Sequence, residues 1–424
     1  MVTIAILGLG ARGGHIYANC LKNNKKAKVV AICDINKEKV AKLKKFFDLT
    51  DEQCFFDQNE LLKQKRADGI IIAHDDDDHY ESAMKALDLG YDILIEKPIS
   101  PNPLECLEIA DKAIKLNKKV IVAHVLRYAP FYDTIKKIIT SKKIGDIIDL
   151  SQTENVGFWH YAHSFVRGNW NNSNTSSPMI LAKCCHDLDM INYLLDKECL
   201  SLSSIGNLKF FTKENKPQGA THRCTDGCPH LSTCAYNAIK VYIDNAVDNN
   251  NGWLSQYISV DQSKESILNG LKTGPYGICV WDCDNNVVDH QTVLMQYEDG
   301  ITATLNMNIF SKDCFRELRI AGTEGEIIAN DRDNIIKVNC WNGETQTIDI
   351  NELYPKMIGH GNGDVVLTDR FVDMLARENA HVENIDQSIS SHINAFAAEK
   401  SRLLDGQRIV IDDFVKEIFN KNDK

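Results

Sequence analysis

The chain has 424 residues with a formal net charge of −11, and 43% of its residues are hydrophobic and 25% charged. The length exceeds one ordinary core, so two domains are expected, and this balance of apolar and charged residues is typical of a globular protein. The negative charge argues against nucleic acid or an anionic membrane surface as a partner, and no segment is long and apolar enough for a membrane span.

The amino terminus, MVTIAILGLG, is predicted to begin a strand almost at once. It has neither the basic start nor the longer apolar run and small-residue cleavage site of a secretory signal, so the sequence predicts a cytoplasmic protein. The 14 cysteines are then expected to be mostly free thiols, unless some of them bind a metal.

The first third of the chain alternates predicted strands with predicted helices. Five apolar stretches are typical of strands: TIAILGLG, KVVAICD, ADGIIIAH, YDILIEKP and KKVIVAHV. Between them lie stretches such as HYESAMKALDLGY, whose apolar residues recur three and four positions apart, as on one face of a helix. This alternation predicts an α/β domain built on a parallel, doubly wound sheet, which we assign to residues 1–126.

Beyond about residue 145 the pattern changes to that of antiparallel strands. In ITATLNMNIF, apolar residues such as Leu305 and Met307 alternate with polar residues such as Thr304 and Asn306, as in a strand with one buried face. Further strands follow, joined by turns that contain glycine, and the polar segment DNAVDNNNGW is predicted to be a loop. Residues 127–424 are therefore predicted to form an α+β domain with one sheet face open to water or to another subunit.

The segment GLGARG matches the GxGxxG pattern directly after the first predicted strand, and Asp34 ends the second strand 21 residues after Gly13. Glycines at these positions allow a tight turn and a close approach of the backbone to a pyrophosphate, while the following helix presents free N–H groups. Asp34 would accept hydrogen bonds from ribose hydroxyls and repel a 2′-phosphate, which favours NAD over NADP. A glycine turn with no ligand is the alternative. The turn residues expected near the cofactor are Gly8, Gly10, Ala11, Arg12 and Gly13.

The segment ILIEKPIS places a charged pair, Glu96 and Lys97, at the end of an apolar strand and then stops at Pro98. In an open α/β sheet, ligands bind outside the carboxyl ends of the strands. Lys97 is therefore predicted to face the nicotinamide end of a bound cofactor, and a surface ion pair of no consequence is the alternative.

Taken together, GLGARG, the acidic end of the second strand, EKP and a later helix with HDLD resemble the glucose–fructose oxidoreductase/inositol dehydrogenase/MocA-like family. The resemblance covers nearly the whole chain and places His79 at the family's usual histidine. It implies an NAD-binding Rossmann domain followed by a substrate domain with a large, mainly antiparallel open sheet. It also implies chemistry on sugars, cyclitols or their derivatives and a homodimer or homotetramer, and we expect the last helix to pack back on the first domain.

The helical segment LAKCCHDLDMINYLL is expected to supply the second half of the site. Lys183, His186 and Asp187 project from neighbouring turns of this amphipathic stretch. By resemblance, His186 matches the family's catalytic histidine, three residues before the matching Asp189. The aspartate that many members carry four residues ahead of that histidine is Ala182 here, so the adjacent Lys183 becomes a candidate to polarise a hydroxyl. A purely structural histidine is the alternative.

The predicted reaction is hydride transfer between a carbinol carbon and nicotinamide. A neutral imidazole suits removal of the hydroxyl proton near pH 7, so His186 is assigned as the base. Lys97, as a cation, would stabilise the developing alkoxide and orient the hydroxyl. The predicted catalytic residues are thus Lys97, His186 and Lys183.

The segment ENVGFWHYAHSFVRGNW concentrates aromatic, imidazole and guanidinium side chains, which suit a carbohydrate pocket. An aromatic core segment or a dimer contact is the alternative. The residues expected at the substrate are Tyr128, Trp159, His160, His163, Arg167, Trp170, Asp187 and His360, the last from the glycine-rich segment GHGNGD. Further residues expected at the cofactor are His74, His79, Glu96, Lys97 and Arg127, the last because it directly follows the final strand of the first domain.

The segment HRCTDGCPHLSTC holds Cys224, Cys228 and Cys234. Three thiolates with a fourth ligand, from Cys185 or a neighbouring histidine, could bind a tetrahedral, structural zinc ion. The spacing is not a paired CxxC…CxxC set, and a reduced, metal-free cluster that packs a loop is the alternative.

Three functions are compatible with these predictions. The leading one is an NAD-dependent dehydrogenase that acts on the CH–OH group of a sugar, sugar derivative or cyclitol. The second is an NAD-dependent glycosidase that oxidises, eliminates and re-reduces without net redox change, as some relatives do, and the third is a non-catalytic NAD-binding regulator. Release of stoichiometric NADH distinguishes the first from the second, and the presence of both Lys97 and His186 argues against the third.

Overall fold

The structure is a computed structural model that describes residues 1–244, 253–378 and 382–420. The loop predicted at DNAVDNNNGW lies almost entirely outside these residues. Within them, two sheets form the framework of the molecule, and helices pack between and around the sheets. No described helix is both long and apolar enough to cross a membrane.

Six strands form the amino-terminal sheet: β1 (Val2–Leu7), β2 (Ala27–Cys33), β3 (Cys54–Phe55), β4 (Gly69–Ile72), β5 (Asp92–Ile95) and β6 (Val120–Val122). They are all parallel and lie in the order β3-β2-β1-β4-β5-β6. The connecting helices are α1 (Ala18–Asn23), α2 (Lys37–Phe47), α3 (Gln58–Leu61), α4 (His79–Asp88) and α5 (Pro103–Lys115). Both sheet faces are covered, and β4 is apolar and buried along its whole length. The predicted Rossmann fold is therefore confirmed.

Nine strands form the second sheet: β7 (Ile147–Gly157), β8 (Cys199–Asn207), β9 (His290–Tyr297), β10 (Thr302–Ser311), β11 (Phe315–Gly322), β12 (Gly325–Asn330), β13 (Ile335–Cys340), β14 (Thr345–Asp349) and β15 (Ile409–Val410). Their order is β14-β13-β12-β11-β7-β10-β9-β8-β15. Strand β10 pairs with β7 in parallel, and the other pairings are antiparallel. The predicted large, mainly antiparallel sheet is therefore confirmed.

The remaining helices surround this sheet and reach back to the first domain. They are α6 (Pro130–Thr140), α7 (Phe158–Tyr161), α8 (Met179–Ala182), α9 (Cys185–Leu195), α10 (Ala238–Tyr242), α11 (Lys264–Thr273), α12 (Ile350–Leu353), α13 (Gly363–Leu375), α14 (Ile385–Leu403) and α15 (Ile411–Asn420). Helix α13 packs against α1, and α14 packs against both α5 and α9. The carboxyl-terminal part of the chain thus joins the Rossmann domain to the helix that carries the HDLD segment.

The outer face of the nine-stranded sheet is open. Along β10, Leu305 and Met307 point inward and are buried, whereas Asn306 is exposed, which matches the alternation in the sequence. Exposed apolar side chains on the outer side of the sheet are Ile205 at 72%, Leu294 at 55% and Phe310 at 54%. The other face packs against helices, so the candidate site lies on the inner side, next to the Rossmann domain.

Candidate active site

The turn after β1 leaves room for a dinucleotide. Gly8 has φ +89°, and a Cβ added there would lie 2.3 Å from the backbone nitrogen of His74, so this position excludes a side chain. At Gly10 an added Cβ would meet no atom within 4 Å. The space beside the first helical turn is therefore open to a pyrophosphate that approaches the backbone, as a dinucleotide-binding turn requires.

Asp34 stands directly after β2 and beside this turn. Its Oδ2 accepts a hydrogen bond from the Leu9 N–H at 2.7 Å, and its Oδ1 accepts one from the Asn36 N–H at 2.8 Å. These two bonds fix the carboxylate next to the glycine turn and leave further lone pairs for ribose hydroxyls. The residues present thus fit a nicotinamide dinucleotide.

The place of Arg12 near the pyrophosphate stays a prediction, and its side chain pairs with two carboxylates of the protein. Its Nε donates to Glu96 Oε1 at 2.6 Å, and its Nη2 donates to Asp364 Oδ1 at 2.6 Å. The Tyr17 hydroxyl also donates to Glu96 at 2.6 Å. Burial favours the neutral form of Glu96, but Arg12 and Tyr17 hold its pKa below the ordinary value. Arg12 and Glu96 therefore join the glycine turn, β5 and α13 in an internal charge network.

Lys97 reaches from the end of β5 across to the second domain. The Lys97–Pro98 peptide is cis, and Lys97 Nζ donates to the carbonyl oxygen of Ala182 at 2.9 Å. The same ammonium lies 5.9 Å from the ring centroid of Trp170. Burial, followed by the charge of Lys183, lowers the pKa of Lys97. At position 182 the contact with Lys97 is thus made by a backbone carbonyl oxygen.

His186 lies in the first turn of α9, a few residues beyond the carbonyl that binds Lys97. The residue is 7% exposed, and its Nδ1 is buried without a hydrogen-bond partner among the described residues. Burial, and next the charge of Lys97, hold the pKa of His186 well below its ordinary value. The imidazole is therefore neutral near pH 7, and it lies close enough to the Lys97 ammonium to be affected by its charge. We call the region around these two side chains, between the Rossmann domain and the second domain, the cleft.

Lys183 is tied to a buried carboxylate. Its Nζ lies 3.2 Å from Glu154 Oε1, and Arg316 Nε lies 2.9 Å from the other oxygen of Glu154. Burial, and next the negative charge of Asp187, raise the pKa of Glu154 to about 7, against the opposing effect of Arg316 and Lys183. Lys183 is thus positioned in the wall of the cleft by an ion pair.

Asp187 differs from the expectation that it contacts substrate. It is fully buried, its Oδ1 accepts from Arg316 Nε at 2.7 Å, and it also accepts from Gln152 Nε2 at 2.6 Å. Because the carboxylate is committed to these internal donors, it anchors α9 to the large sheet.

Arg127 also differs from the expectation that it lies at the nicotinamide. It donates two hydrogen bonds to Asp189, at 2.7 and 2.6 Å, and forms a further ion pair with Glu383. His124 Nδ1 lies 2.7 Å from Asp189 Oδ1. Burial opposes ionisation of Asp189, but Arg127 and His124 lower its pKa to about 2. This charge cluster ties the end of the Rossmann domain to α9 and so helps to position His186.

Three of the expected substrate residues border the cleft. His160 stacks on Trp159, and its Nδ1 lies 3.5 Å from Cys314 Sγ. Burial, and next the charge of Lys183, hold its pKa well below the ordinary value. The ring of His360 lies 6.3 Å from that of His186, and Trp170 lies beside Lys97. The cleft therefore combines aromatic faces with imidazole and ammonium groups.

Other expected substrate residues are turned into the protein. His163 is buried, stacks on Tyr276 and has Nδ1 3.1 Å from the Tyr242 hydroxyl. Arg167 is buried and donates to the carbonyl oxygen of Ile278 at 2.7 Å. These two differ from the expectation because they contact buried neighbours, although Arg167 Nη1 has no hydrogen-bond partner among the described residues. Two more have protein contacts of their own: Trp159 donates to the Lys312 carbonyl, and Tyr128 lies under the guanidinium of Arg370.

The two histidines expected at the cofactor support the turns around it. His74 Nε2 lies 2.9 Å from Ser82 Oγ, and burial lowers the pKa of His74 to about 4. His79 Nδ1 lies 2.9 Å from the carbonyl oxygen of Pro98, while its Nε2 is buried without a partner among the described residues. His79 thus holds the turn that carries Lys97.

Sequence reasoning missed Glu154, which pairs with Lys183, and His124, which lies beside Asp189. Glu154 lies on the inner face of β7 with Leu150 and Gln152. A charged residue at an inward-facing position of the strand was the sequence feature that could have identified it. His124 lies two residues after the end of β6, at the same sheet edge as Lys97.

The predicted cysteine ligands lie together and away from this cleft. Cys224, Cys228 and Cys234 line one cavity, and Cys279 completes it. Cys185 differs from the expectation that it could be the fourth ligand of this site. It lies in the core with His124 and His392, next to the Lys97 charge.

The first domain has a Rossmann sheet with an open glycine turn, an acid after the second strand and a lysine at the carboxyl edge. Together these features define a dinucleotide-binding oxidoreductase. Residues 2–124 match the model of the oxidoreductase family with an NAD-binding Rossmann fold, and residues 136–383 match its C-terminal alpha/beta domain. The chain belongs to this family, the Gfo/Idh/MocA family of NAD-dependent oxidoreductases.

Several known proteins are similar to the chain. It is 24% identical over 393 residues to the putative oxidoreductase YteT of Bacillus subtilis, covering 87% of each chain. It is 24% identical over 205 residues to inositol 2-dehydrogenase of Serratia proteamaculans, covering 48% of this chain and 57% of that one. A scyllo-inositol dehydrogenase from Lactobacillus casei, solved with NAD(H) and scyllo-inositol, superposes with a TM-score of 0.65 at 18% identity, covering 97% of this chain and 99% of that one.

Proposed function

We propose that the protein is an NAD-dependent dehydrogenase that acts on a CH–OH group of a sugar, a sugar derivative or a cyclitol. One observation carries the proposal: the Lys97 ammonium from the Rossmann domain binds the Ala182 carbonyl, directly before the helix that bears the neutral His186. A cation and a base from two domains thus meet in one cleft, beside the open glycine turn.

The residues of the site have separate roles in this reaction. Bound NAD supplies the nicotinamide that accepts hydride from the carbinol carbon. His186 takes the hydroxyl proton at a ring nitrogen, since its low pKa keeps the imidazole unprotonated at neutral pH. Lys97 donates a hydrogen bond to the same oxygen and stabilises the negative charge that develops there. The alcohol becomes a carbonyl, and His186 passes its proton to solvent.

The cleft supports a polyhydroxylated substrate. Trp170 and His160 offer ring faces for stacking, while Lys97, Lys183 and His360 offer donors for hydroxyl groups. The inositol dehydrogenases among the relatives act on cyclitols, which supports the same substrate class for this chain. Asp34, fixed beside the glycine turn, supports NAD over NADP.

The proposal is tested by a screen of cyclitols, monosaccharides and glycosides, with NADH absorbance and product chromatography measured in parallel. One NADH per product molecule is expected for at least one cyclitol or sugar. Glycoside cleavage without net NADH would instead identify the redox-neutral glycosidase. Tight NAD binding with no product from any compound would identify a regulator.

The variants Lys97→Ala and His186→Ala complete this test. Neither side chain contacts the glycine turn, so NAD affinity should remain close to that of the wild type while turnover is lost. Normal turnover in both variants would contradict the assignment.

We further propose that the open sheet face mediates a homodimer or homotetramer. Its exposed apolar side chains, among them Ile205, Leu294 and Phe310, support association with a second copy. Light scattering should give two or four times the mass of the chain, and the mass of one chain at micromolar concentration would contradict the proposal.

A further inference from the structure

Away from the cleft, four cysteine side chains surround one cavity. Cys224, Cys228 and Cys234 line it together with Cys279, which lies 45 residues beyond Cys234 in the sequence. The cavity contains roughly 360 Å³ that no protein atom fills, part of it open to solvent. The four thiols therefore line a shared space and are not scattered core residues.

Each of the four sulfurs has a backbone donor. The Ala238 N–H donates to Cys224 Sγ at 3.4 Å. For the other three cysteines the donor is the N–H two residues further along the chain: His230 for Cys228, Tyr236 for Cys234 and Trp281 for Cys279. Backbone donors at a cysteine sulfur favour the thiolate, which is the form that binds metals, whereas burial raises the pKa of the Cys234 and Cys279 thiols.

Two cations lie next to the cavity. The buried Arg167 lines it and places Nη2 3.8 Å from Cys224 Sγ. The charge of Lys216 acts on both Cys228 and Cys279, and Lys216 also forms an ion pair with Asp282. A metal centre with four thiolate ligands has a net negative charge, and these cations offset it at a partly buried position.

We propose that Cys224, Cys228, Cys234 and Cys279 hold a metal centre through four thiolate ligands. The nearby histidine that lines the cavity has one ring nitrogen engaged elsewhere, since His230 Nε2 lies 2.9 Å from the carbonyl oxygen of Gln218. Cys279 therefore supplies the fourth ligand, from a segment that the sequence does not group with the other three.

The spacing of the sulfurs bears on the type of centre. Four thiolates on one zinc ion, with Zn–S bonds of about 2.3 Å, lie about 3.8 Å apart. Among the described residues, one trio of possible ligand atoms lies within 4.8 Å of one another, and it is His124, Cys185 and His392. No three of the four cavity cysteine sulfurs are therefore that close together. This spacing, wider than that of four thiolates on one zinc ion, favours an iron–sulfur cluster, in which sulfide bridges the irons. A single zinc ion is the competing occupant.

Such a centre would join two segments that together form one wall of the second domain. The backbone of Cys279 already donates to the His222 carbonyl at 2.8 Å, and Arg167 connects the cysteine segment to the helical turn that follows His160. A bound metal would therefore stabilise this wall, and its removal should lower the temperature of unfolding.

The full-length protein, purified without oxygen, allows a direct test by elemental analysis, acid-labile sulfide and visible absorption. Iron and sulfide in equal amounts, with visible absorption, would support the cluster. One zinc per chain without colour would support the four-thiolate site and overturn the cluster. Less than about 0.1 equivalent of any metal, even after reconstitution with iron and sulfide or with zinc, would overturn the site.

Two cysteine variants test the ligand set. Cys279→Ser should lower the metal content at least roughly tenfold, as expected when a ligand is removed. Cys283→Ser is the matched control, since Cys283 Sγ donates to the Cys279 carbonyl at 3.4 Å and does not line the cavity. Circular dichroism would verify the fold of both. Full metal in Cys279→Ser, or loss of metal in Cys283→Ser, would overturn the assignment.

Discussion

Replacing Gly10 by alanine should separate cofactor binding from folding. Gly10 has φ −71°, and an added Cβ would meet no atom within 4 Å. The protein without cofactor should therefore tolerate Gly10→Ala, with its free energy of unfolding unchanged or raised by about 0.4–1 kcal/mol, because alanine restricts the unfolded chain. A pyrophosphate that approaches the backbone at this turn would instead collide with the new methyl group.

The expected loss of affinity follows from the bonds that the methyl group displaces. A hydrogen bond from a backbone N–H to a charged group contributes about 1.5–3 kcal/mol. Loss of one such bond to the pyrophosphate should raise the Kd for NAD roughly ten- to 150-fold. Gly13→Ala is a contrasting variant, because its Cβ would lie 1.9 Å from the backbone oxygen of Gly8 and should destabilise the fold itself.

Calorimetric titration with NAD and thermal unfolding without NAD measure the two effects separately. Gly10→Ala should unfold at or slightly above the wild-type temperature and bind NAD weakly. A Kd within twofold of the wild-type value, or unfolding well below the wild-type temperature, would refute the assignment of Gly10 to an open pyrophosphate site.

Further predictions concern charges near the site. Asp189→Asn breaks the buried pair with Arg127, so urea denaturation should show a loss of about 3–5 kcal/mol; a loss below about 1 kcal/mol would contradict the pairing. Because the pKa of Asp189 is lowered to about 2, its contribution to stability is present above its ordinary pKa and is lost as the pH falls from about 4 to 2. Over that range the wild type should lose roughly 2 kcal/mol more than Asp189→Asn, and equal slopes would argue against the shift. Asp34→Asn keeps an acceptor for the Leu9 N–H but removes the charge, so titrations with both dinucleotides should show a narrowed preference for NAD over NADP; an unchanged ratio would refute that role.

The sequence predicted those site residues that directly follow a strand, because the strand itself fixes their positions. Gly10 and Asp34 follow strands whose apolar runs are plain in the sequence, and ligands bind at the carboxyl edge of such a sheet. Lys97 was predicted at that edge for the same reason, and the resemblance placed His186 on its helix. The two-domain architecture could be predicted because strand periodicity changes from buried runs to alternation.

The partners of buried charges could not be predicted, because they are distant in the sequence. Arg12 pairs with Asp364, 352 positions away, and Asp187 pairs with Arg316, 129 positions away. A charged residue in a motif is equally compatible with a ligand and with such an internal partner. Cys279 was missed for a related reason, since no regular spacing joins it to the other three cysteines.

The central claim is that Lys97 and His186 act on one hydroxyl beside bound NAD. The most direct measurement is the single-turnover rate of NADH formation with the best substrate, in the wild type and in Lys97→Met and His186→Asn, each saturated with NAD. NAD affinities should be close to that of the wild type, and rates should be at least about a hundredfold lower in both variants. A wild-type rate in either variant would contradict the claim.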